Sequence, residues 1–209
     1  MIFLIGGNPR GGKSTLAKML SQKKSIPYIS IDDITSIIKS YIPENDHHEK
    51  FPQSMHRIEV NHDNDAYFTK YTAEEIINFY YKQAETIWAG VQKFIEYALA
   101  RNLDYILEGW EIFPEFLQTV INNSNKNHIK VVFLVKEEHN EIVRGIKIGK
   151  SQNDWILKDT HKEETYLKIA EMISAMGKKI TTEAQKGNFL IINMDNNFED
   201  KLNSLLETI

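Results

Sequence analysis

The chain of 209 residues contains no cysteine. Disulfide staples and thiolate-bound metals are therefore excluded. Arginine is scarce: Arg10, Arg57, Arg101 and Arg144 are the only four. That is few for a motor that inserts arginines into its neighbours, and few for a site that clamps two phosphorylated substrates at once. No long block of one charge occurs, and the net charge is −4. Non-specific nucleic-acid binding is not expected, although a local anion site remains open. No stretch approaches the ~18 uninterrupted apolar residues of a membrane span. The apolar opening MIFLI is also far shorter than a secretory h-region. The expectation is a cytoplasmic protein with no membrane partner.

What is present fits one globular domain, with 42% hydrophobic and 26% charged residues. Strand and helix signals alternate. Apolar runs at 2–6, 27–30, 104–109, 130–135 and 189–193 predict five buried strands. Helices are expected over 13–22, 34–41, 73–101, 114–121, 138–148, from about 161 to 187, and 198–208. Thr72 to Glu75 and Thr160 to Glu163 both have capping-box spacing. Gly187 suits a helix C-terminus, and Asn196 or Asn197 suits the last N-cap. The stretches 42–71 and 149–160 are polar and read as irregular. Continuous apolar strands alternating with helices imply an α/β fold, a parallel sheet covered on both faces. Ligands on such sheets bind at the carboxyl ends of the strands.

Four of the ten glycines fall within the first twelve residues. Gly7, Asn8, Pro9, Arg10, Gly11, Gly12, Lys13 and Ser14 match G-x-x-x-x-G-K-[ST], between a buried strand and a helix. Glycines let the chain turn inward, so that successive N–H groups form an anion nest. The helix N-terminus behind them adds its dipole. Lys13 is expected at the β- and γ-phosphates, Ser14 on Mg²⁺ and Thr15 toward the α-phosphate. The bound cofactors expected are thus ATP and Mg²⁺. No N-K-x-D base-reading motif of a GTPase switch occurs. The polar segments after the second helix and the fourth strand favour a small kinase.

Asp32 and Asp33 follow the second strand. Asp32 is the expected catalytic carboxylate that takes the acceptor's proton, and with Ser14 it forms the expected metal set. Asp33 is placed to N-cap a helix at Ile34. Glu108 ends the third strand, where a carboxylate can hold a magnesium-bound water or grip a substrate hydroxyl. Arg144, Lys147 and Lys150 recur at i, i+3, i+6 and can neutralise a migrating phosphoryl group from a lid. His47, His48, His56 and His62 have no helical ligand spacing and read as exposed loop residues. Residues 44–65 carry two basic and six acidic side chains, which favours a neutral or cationic acceptor. Tyr80, Trp88 and Phe94 are expected in the core, and residues 195–197 near the adenine. A nucleotide kinase with a phosphate acceptor, or a nucleotide-binding module acting through a protein partner, are the alternatives.

GGNPRGGKST, SIDD, the Glu108-Gly109 to Pro114 spacing and the lid-like NDW together resemble the small phosphate-loop kinases of the nucleoside-monophosphate-kinase group. Within it the chain is most similar to proteins labelled 2-phosphoglycerate kinase-like, and more distantly to chloramphenicol phosphotransferase and the zeta toxins. The resemblance implies a phosphate-loop fold with a five-stranded parallel sheet in the order 2-3-1-4-5. It also implies a lid at about 144–160, an acceptor-side insertion at 42–71 within one domain, and ATP·Mg²⁺ as phosphoryl donor.

Overall fold

The computed structural model describes residues 1–148 and 154–209. Five strands form one parallel sheet: β1 (Ile2–Gly6), β2 (Tyr28–Ser30), β3 (Tyr105–Glu108), β4 (Ile129–Val135) and β5 (Leu190–Asn193). The order is β2-β3-β1-β4-β5. β1 lies at the centre, so its residues are apolar on both faces. Ile2 and Leu4 join Leu107 and Phe133 in the larger core, whereas Phe3 and Ile5 join Ile106, Val132 and Leu134 in the smaller one. This is the period-2 alternation of a strand, with both sides buried.

Two long helices cover the larger core, α6 (Ala73–Ala100) and α9 (Glu163–Lys186). On α6 the residues Ile76, Tyr80, Ala84, Ile87, Val91 and Ala98 are buried, as the 3.6-residue period requires. Trp88 is buried beside them, and Phe94 is half-buried. The opposite face carries α1 (Lys13–Lys24) and α10 (Phe198–Thr208), which meet through Leu16, Leu20, Leu202 and Leu205. Among the described residues no helix is long and apolar enough to cross a membrane.

Several local expectations are corrected. The helix after β2, α2, spans Ile31–Tyr41 and starts three residues earlier than expected, so Ser30 and not Asp33 holds the N-cap position. Asp32 and Asp33 lie in its first turn, where acidic side chains suit the helix dipole. The 42–71 segment is helical. After a 3₁₀ turn at Glu44–Asp46 come α3 (His47–Lys50), α4 (Pro52–Glu59) and α5 (Asn64–Lys70). Asp63 caps α5 by accepting from the N–H groups of Asp65 (2.7 Å) and Ala66 (3.1 Å). The Thr72–Glu75 capping box forms in full.

Thr160 does not cap α9, whose N-cap position is Lys162. Asp65 of α5 instead holds the segment that leads into α9, since its carboxylate accepts from the N–H groups of His161 and Lys162 at 3.3 Å. Thr160 is buried instead and accepts from Asn64 Nδ2 at 2.8 Å. Part of the loop expected at 149–160 is helical, α8 (Trp155–Lys158), capped by Asp154. The segment after Pro114 is a 3₁₀ helix, Pro114–Thr119. Gly187 closes α9 in a right-handed conformation, and Asn188 takes the positive φ of 54°. Asn197 stands at the N-cap position of α10 without a side-chain cap bond.

Candidate functional site

β1 feeds a turn that reverses direction in six residues. Positive φ values at Gly7 (132°), Arg10 (67°) and Gly12 (95°) wind it into a cradle. At Gly7 a Cβ would collide with the Leu134 carbonyl, so only glycine fits there. Asn8, counted from the sequence among the phosphate-loop residues, has a fully buried side chain that anchors the turn. Its amide donates to the carbonyls of Lys136 and Ile173, each at 2.7 Å, and its oxygen accepts from Lys136 N–H at 3.0 Å. The loop is thereby tied to the end of β4 and to α9. Lys13 Nζ folds back and donates to the Asn8 carbonyl at 2.9 Å. Arg10 turns outward, pairs with Asp154 and donates to the Gly145 carbonyl at 2.7 Å.

Beside this cradle stands a group of carboxylates. The Ser14 hydroxyl lies 3.1 Å from both carboxylate oxygens of Glu108 and donates to them. Burial pushes the Glu108 carboxyl up, against the pull of the Lys13 ammonium and the Ser14 and Ser30 hydroxyls. Burial pushes Lys13 down, opposed by Glu108, Glu111 and Asp32. Asp32 projects from the first turn of α2 and is exposed to the same space, whereas Asp33 does not line it. No motif or spacing pointed to Glu111. It is fully buried, its Oε1 accepts from Thr35 Oγ1 at 3.3 Å, and its Oε2 has no hydrogen-bond partner among the described residues. Burial pushes this carboxyl far up, and the neighbouring Asp32 adds to the effect. No spacing rule reaches a turn residue three positions beyond a strand end.

Two cavities open from the cradle, with Arg10, Lys13 and Ser14 lining both. The first, about 760 Å³, runs toward Thr15, Lys136, Arg144, Asp195, Asn197 and Phe198. Arg144 sits on α7 (His139–Lys147), is exposed, and pairs with Glu141 of the same helix. Lys147 pairs with Glu163 at 2.6 Å. Lys150 lies outside the described residues. Asp195 accepts from the N–H groups of Glu137 and Glu138 at 3.1 and 3.2 Å, which fixes the turn after β4. Burial pushes the Lys136 ammonium down, with Asp195 opposing.

The second cavity, about 680 Å³, lies between α2, α4 and α6. Asp32, Glu108 and Gly109 line it but not the first, as do Lys39, Gln83 and Trp110. None of the six acidic side chains of residues 44–65 lines it. Asp63 caps α5, Asp65 accepts from the N–H groups ahead of α9, Glu59 binds Lys70 at 3.0 Å, Glu49 pairs with Lys50, and Glu44 and Asp46 face solvent. The charge count over that segment therefore says nothing about an acceptor. Of the four histidines, His62 reaches the cavity, whereas His56 packs on Tyr71 and Phe79. The sequence placed Tyr80 in the core, and it is buried, yet its ring also walls this cavity, edge-on to Trp110.

The donor set fits a magnesium-bound nucleotide. A small hard cation needs oxygen ligands, and the hydroxyl of Ser14 with the carboxylates of Glu108 and Asp32 supplies them beside an anion cradle.

No known family profile matches the chain, and no curated protein matches it in sequence. Solved structures do. A shikimate kinase from Bacteroides thetaiotaomicron is 15% identical, with 100% of this chain and 97% of that one covered, at a TM-score of 0.53. A shikimate kinase from Aquifex aeolicus is 14% identical over 100% and 95% of the two chains, at a TM-score of 0.42. The chain has the fold of the phosphate-loop kinases. That likeness is one of fold and does not single out the narrower phosphoglycerate-kinase-like or chloramphenicol-phosphotransferase-like group.

Proposed function

We propose that the protein is an ATP-dependent kinase that transfers the γ-phosphoryl group to a hydroxyl of a small molecule. One observation carries this reading. Two cavities meet at Lys13 and Ser14, and Asp32 faces only one of them. A hydrolase needs a single nucleotide cavity and a water. Two cavities that share the residues of the cradle leave room for a donor on one side and an acceptor on the other, which supports phosphoryl transfer.

In this reading the N–H groups of residues 7–14, Pro9 excepted, bind the polyphosphate, and Thr15 borders the donor cavity. Lys13 stabilises the charge that gathers on the transferring group. Ser14 and Asp32, with Glu108 behind Ser14, would hold Mg²⁺. When bound, that ion neutralises phosphate oxygens and draws charge from the breaking bond. Asp32 orients the acceptor hydroxyl and takes its proton as the new P–O bond forms and the bond to the β-phosphate breaks, leaving ADP. Arg144 approaches from the donor side as a lid cation. Residues 42–71 cap the acceptor within a single domain, and of the lid expected at about 144–160 residues 149–153 lie outside the described residues. A hydroxyl acceptor suits the cavity better than a phosphate. Arg10 is held by Asp154 and Arg57 by Asn64 and Asp159, so neither guanidinium is left over for a second phosphorylated substrate.

The test is ATP consumption against a metabolite panel, with Asp32→Asn beside the wild type. A kinase shows turnover raised by particular hydroxyl compounds, and Asp32→Asn keeps nucleotide affinity while transfer falls about 10²–10⁴-fold. Turnover indifferent to every small molecule, or an Asp32→Asn variant with undiminished transfer, refutes it.

A further inference from the structure

The charges of the acceptor cavity are unevenly committed. Arg57 is only 6% exposed. Its guanidinium donates to Asn64, to the His62 carbonyl (3.0 Å) and to Asp159 (3.5 Å), and it stacks 4.7 Å from the Trp155 ring centroid. Arg10 is paired, and Lys13 serves the phosphate loop. Lys39 differs. It is half-buried against the cavity, and among the described residues no carboxylate lies within 4.0 Å of it. Its neighbours are the Met55 sulfur at 3.9 Å and the Phe51 ring at 5.6 Å. Burial pushes this ammonium down. A cation partly removed from water beside apolar groups is costly unless an anion joins it.

The helix that carries Lys39 also fixes where that anion would sit. Asp32, Thr35, Ser36 and Lys39 all line the cavity, at i, i+3, i+4 and i+7 of α2. They form one stripe along one helix face. Seven residues at the α-helical rise separate its ends by about 10 Å. Between the ends the far wall is aromatic, with Tyr80 and Trp110 in edge-to-face contact at 4.6 Å. Gln83 lies beside them, its carbonyl oxygen already taken by Ser54 N–H at 3.0 Å and Ser54 Oγ at 3.1 Å. This wall suits a ring or a flat hydrocarbon face.

We infer that the acceptor is a hydroxylated compound carrying a carboxylate remote from the hydroxyl that meets Asp32, with Lys39 as the specificity-determining cation. The inference rests on the kinase reading and deepens it. A carboxylate is favoured over a phosphate because a single uncommitted ammonium cannot satisfy a dianion.

The experiment is calorimetric binding to the full chain without nucleotide. The probes are para-hydroxybenzoate, para-hydroxyphenylacetate and para-hydroxyphenylpropionate, each beside its primary amide, with tyramine as the cationic counterpart. For the longest pair the acid binds the wild type about tenfold or more tightly than the amide, the scale of one charge-assisted hydrogen bond. Lys39→Gln abolishes that preference, and Lys39→Glu turns it toward tyramine. Nucleotide affinity, measured separately, controls for folding. Equal binding of acid and amide along the whole series, or a preference that survives Lys39→Gln, overturns the inference. ATP turnover tells the two readings apart. Lost discrimination with acceptor-stimulated turnover strikes the carboxylate assignment alone. Discrimination with no transfer to any hydroxyl compound strikes the kinase reading and leaves the anion site standing.

Discussion

Replacing Glu111 with glutamine should stabilise the protein, and increasingly so as pH rises. The side chain is fully buried, and Oε2 has no partner, a situation that ordinarily costs about 1–3 kcal/mol. Burial first, then Asp32, raises the folded carboxyl well above its ordinary 4.5. A group raised in this way favours folding fully below its unfolded value and loses that contribution as pH climbs through the folded value. Within that window the wild type loses about 1.4 kcal/mol per pH unit through this one residue. Glutamine keeps the shape, can accept from Thr35 and can donate to Asp32, and it cannot ionise. Thermal unfolding of both proteins in nucleotide- and magnesium-free buffer at pH 5 and pH 8 reads the difference. Each kcal/mol moves the midpoint of a chain this size by about 2–4 °C. The two should melt close together at pH 5, with the glutamine variant several degrees higher at pH 8. A gap that stays constant, or one that favours the wild type more at pH 8, refutes the account of Glu111.

Two further predictions concern the cradle and the cap. Gly7→Ala places a Cβ against the Leu134 carbonyl at a φ of 132°, so urea denaturation should show a loss of about 3 kcal/mol or more, and an unchanged midpoint would contradict the loop geometry. Glu59 is pulled down to about 2 by the hydrogen bond from Lys70 and then that from His56. Its folded value is depressed, so its contribution is present above 4.5 and disappears as pH falls through about 2. With the side chain 32% exposed, solvent screening reduces that contribution to about 1 kcal/mol. Glu59→Gln should cost that much at pH 7 and nothing near pH 2, and an equal cost at both pH values would dismiss the linkage.

The phosphate loop was legible because its geometry is demanded of the backbone. Gly7 and Gly12 take positive φ, and the residues that tolerate such angles are few. The strands were legible for a similar reason. A central parallel strand is buried on both faces, so β1 and β4 appear as unbroken apolar runs. The helices of residues 42–71 were not. α3, α4 and α5 span 4, 8 and 7 residues, too few turns for a 3.6-residue period to emerge. Their ends are fixed by tertiary partners. The segment leading into α9 is held by Asp65, about a hundred residues away, while the local Thr160–Glu163 pattern is left unused. Glu111 was invisible because its meaning depends on burial under α2 and not on any spacing. The stripe from Asp32 to Lys39 was present in the sequence at helical spacing, but without the cavity it is indistinguishable from a solvated face.

That cavity has a further property that bears on how the site works. Arg57 of α4 holds Asn64 of α5 and Asp159, which follows α8. Asp154, which caps α8, holds Arg10 of the phosphate loop. Two guanidiniums thus join the cap, the segment around α8 and the cradle through one short helix of four residues. A rigid link of this kind is what a two-substrate transfer needs. In the proposed kinase reading, an acceptor under α4 and a nucleotide on the cradle would touch opposite ends of the same chain of contacts, so ordering one end would lower the entropic cost of ordering the other. Binding at the two cavities should therefore be mutually favourable, and by linkage each ligand must strengthen the other by the same factor. The four arginines, too few to grip a second phosphate, suffice here because two of them connect the elements around the site.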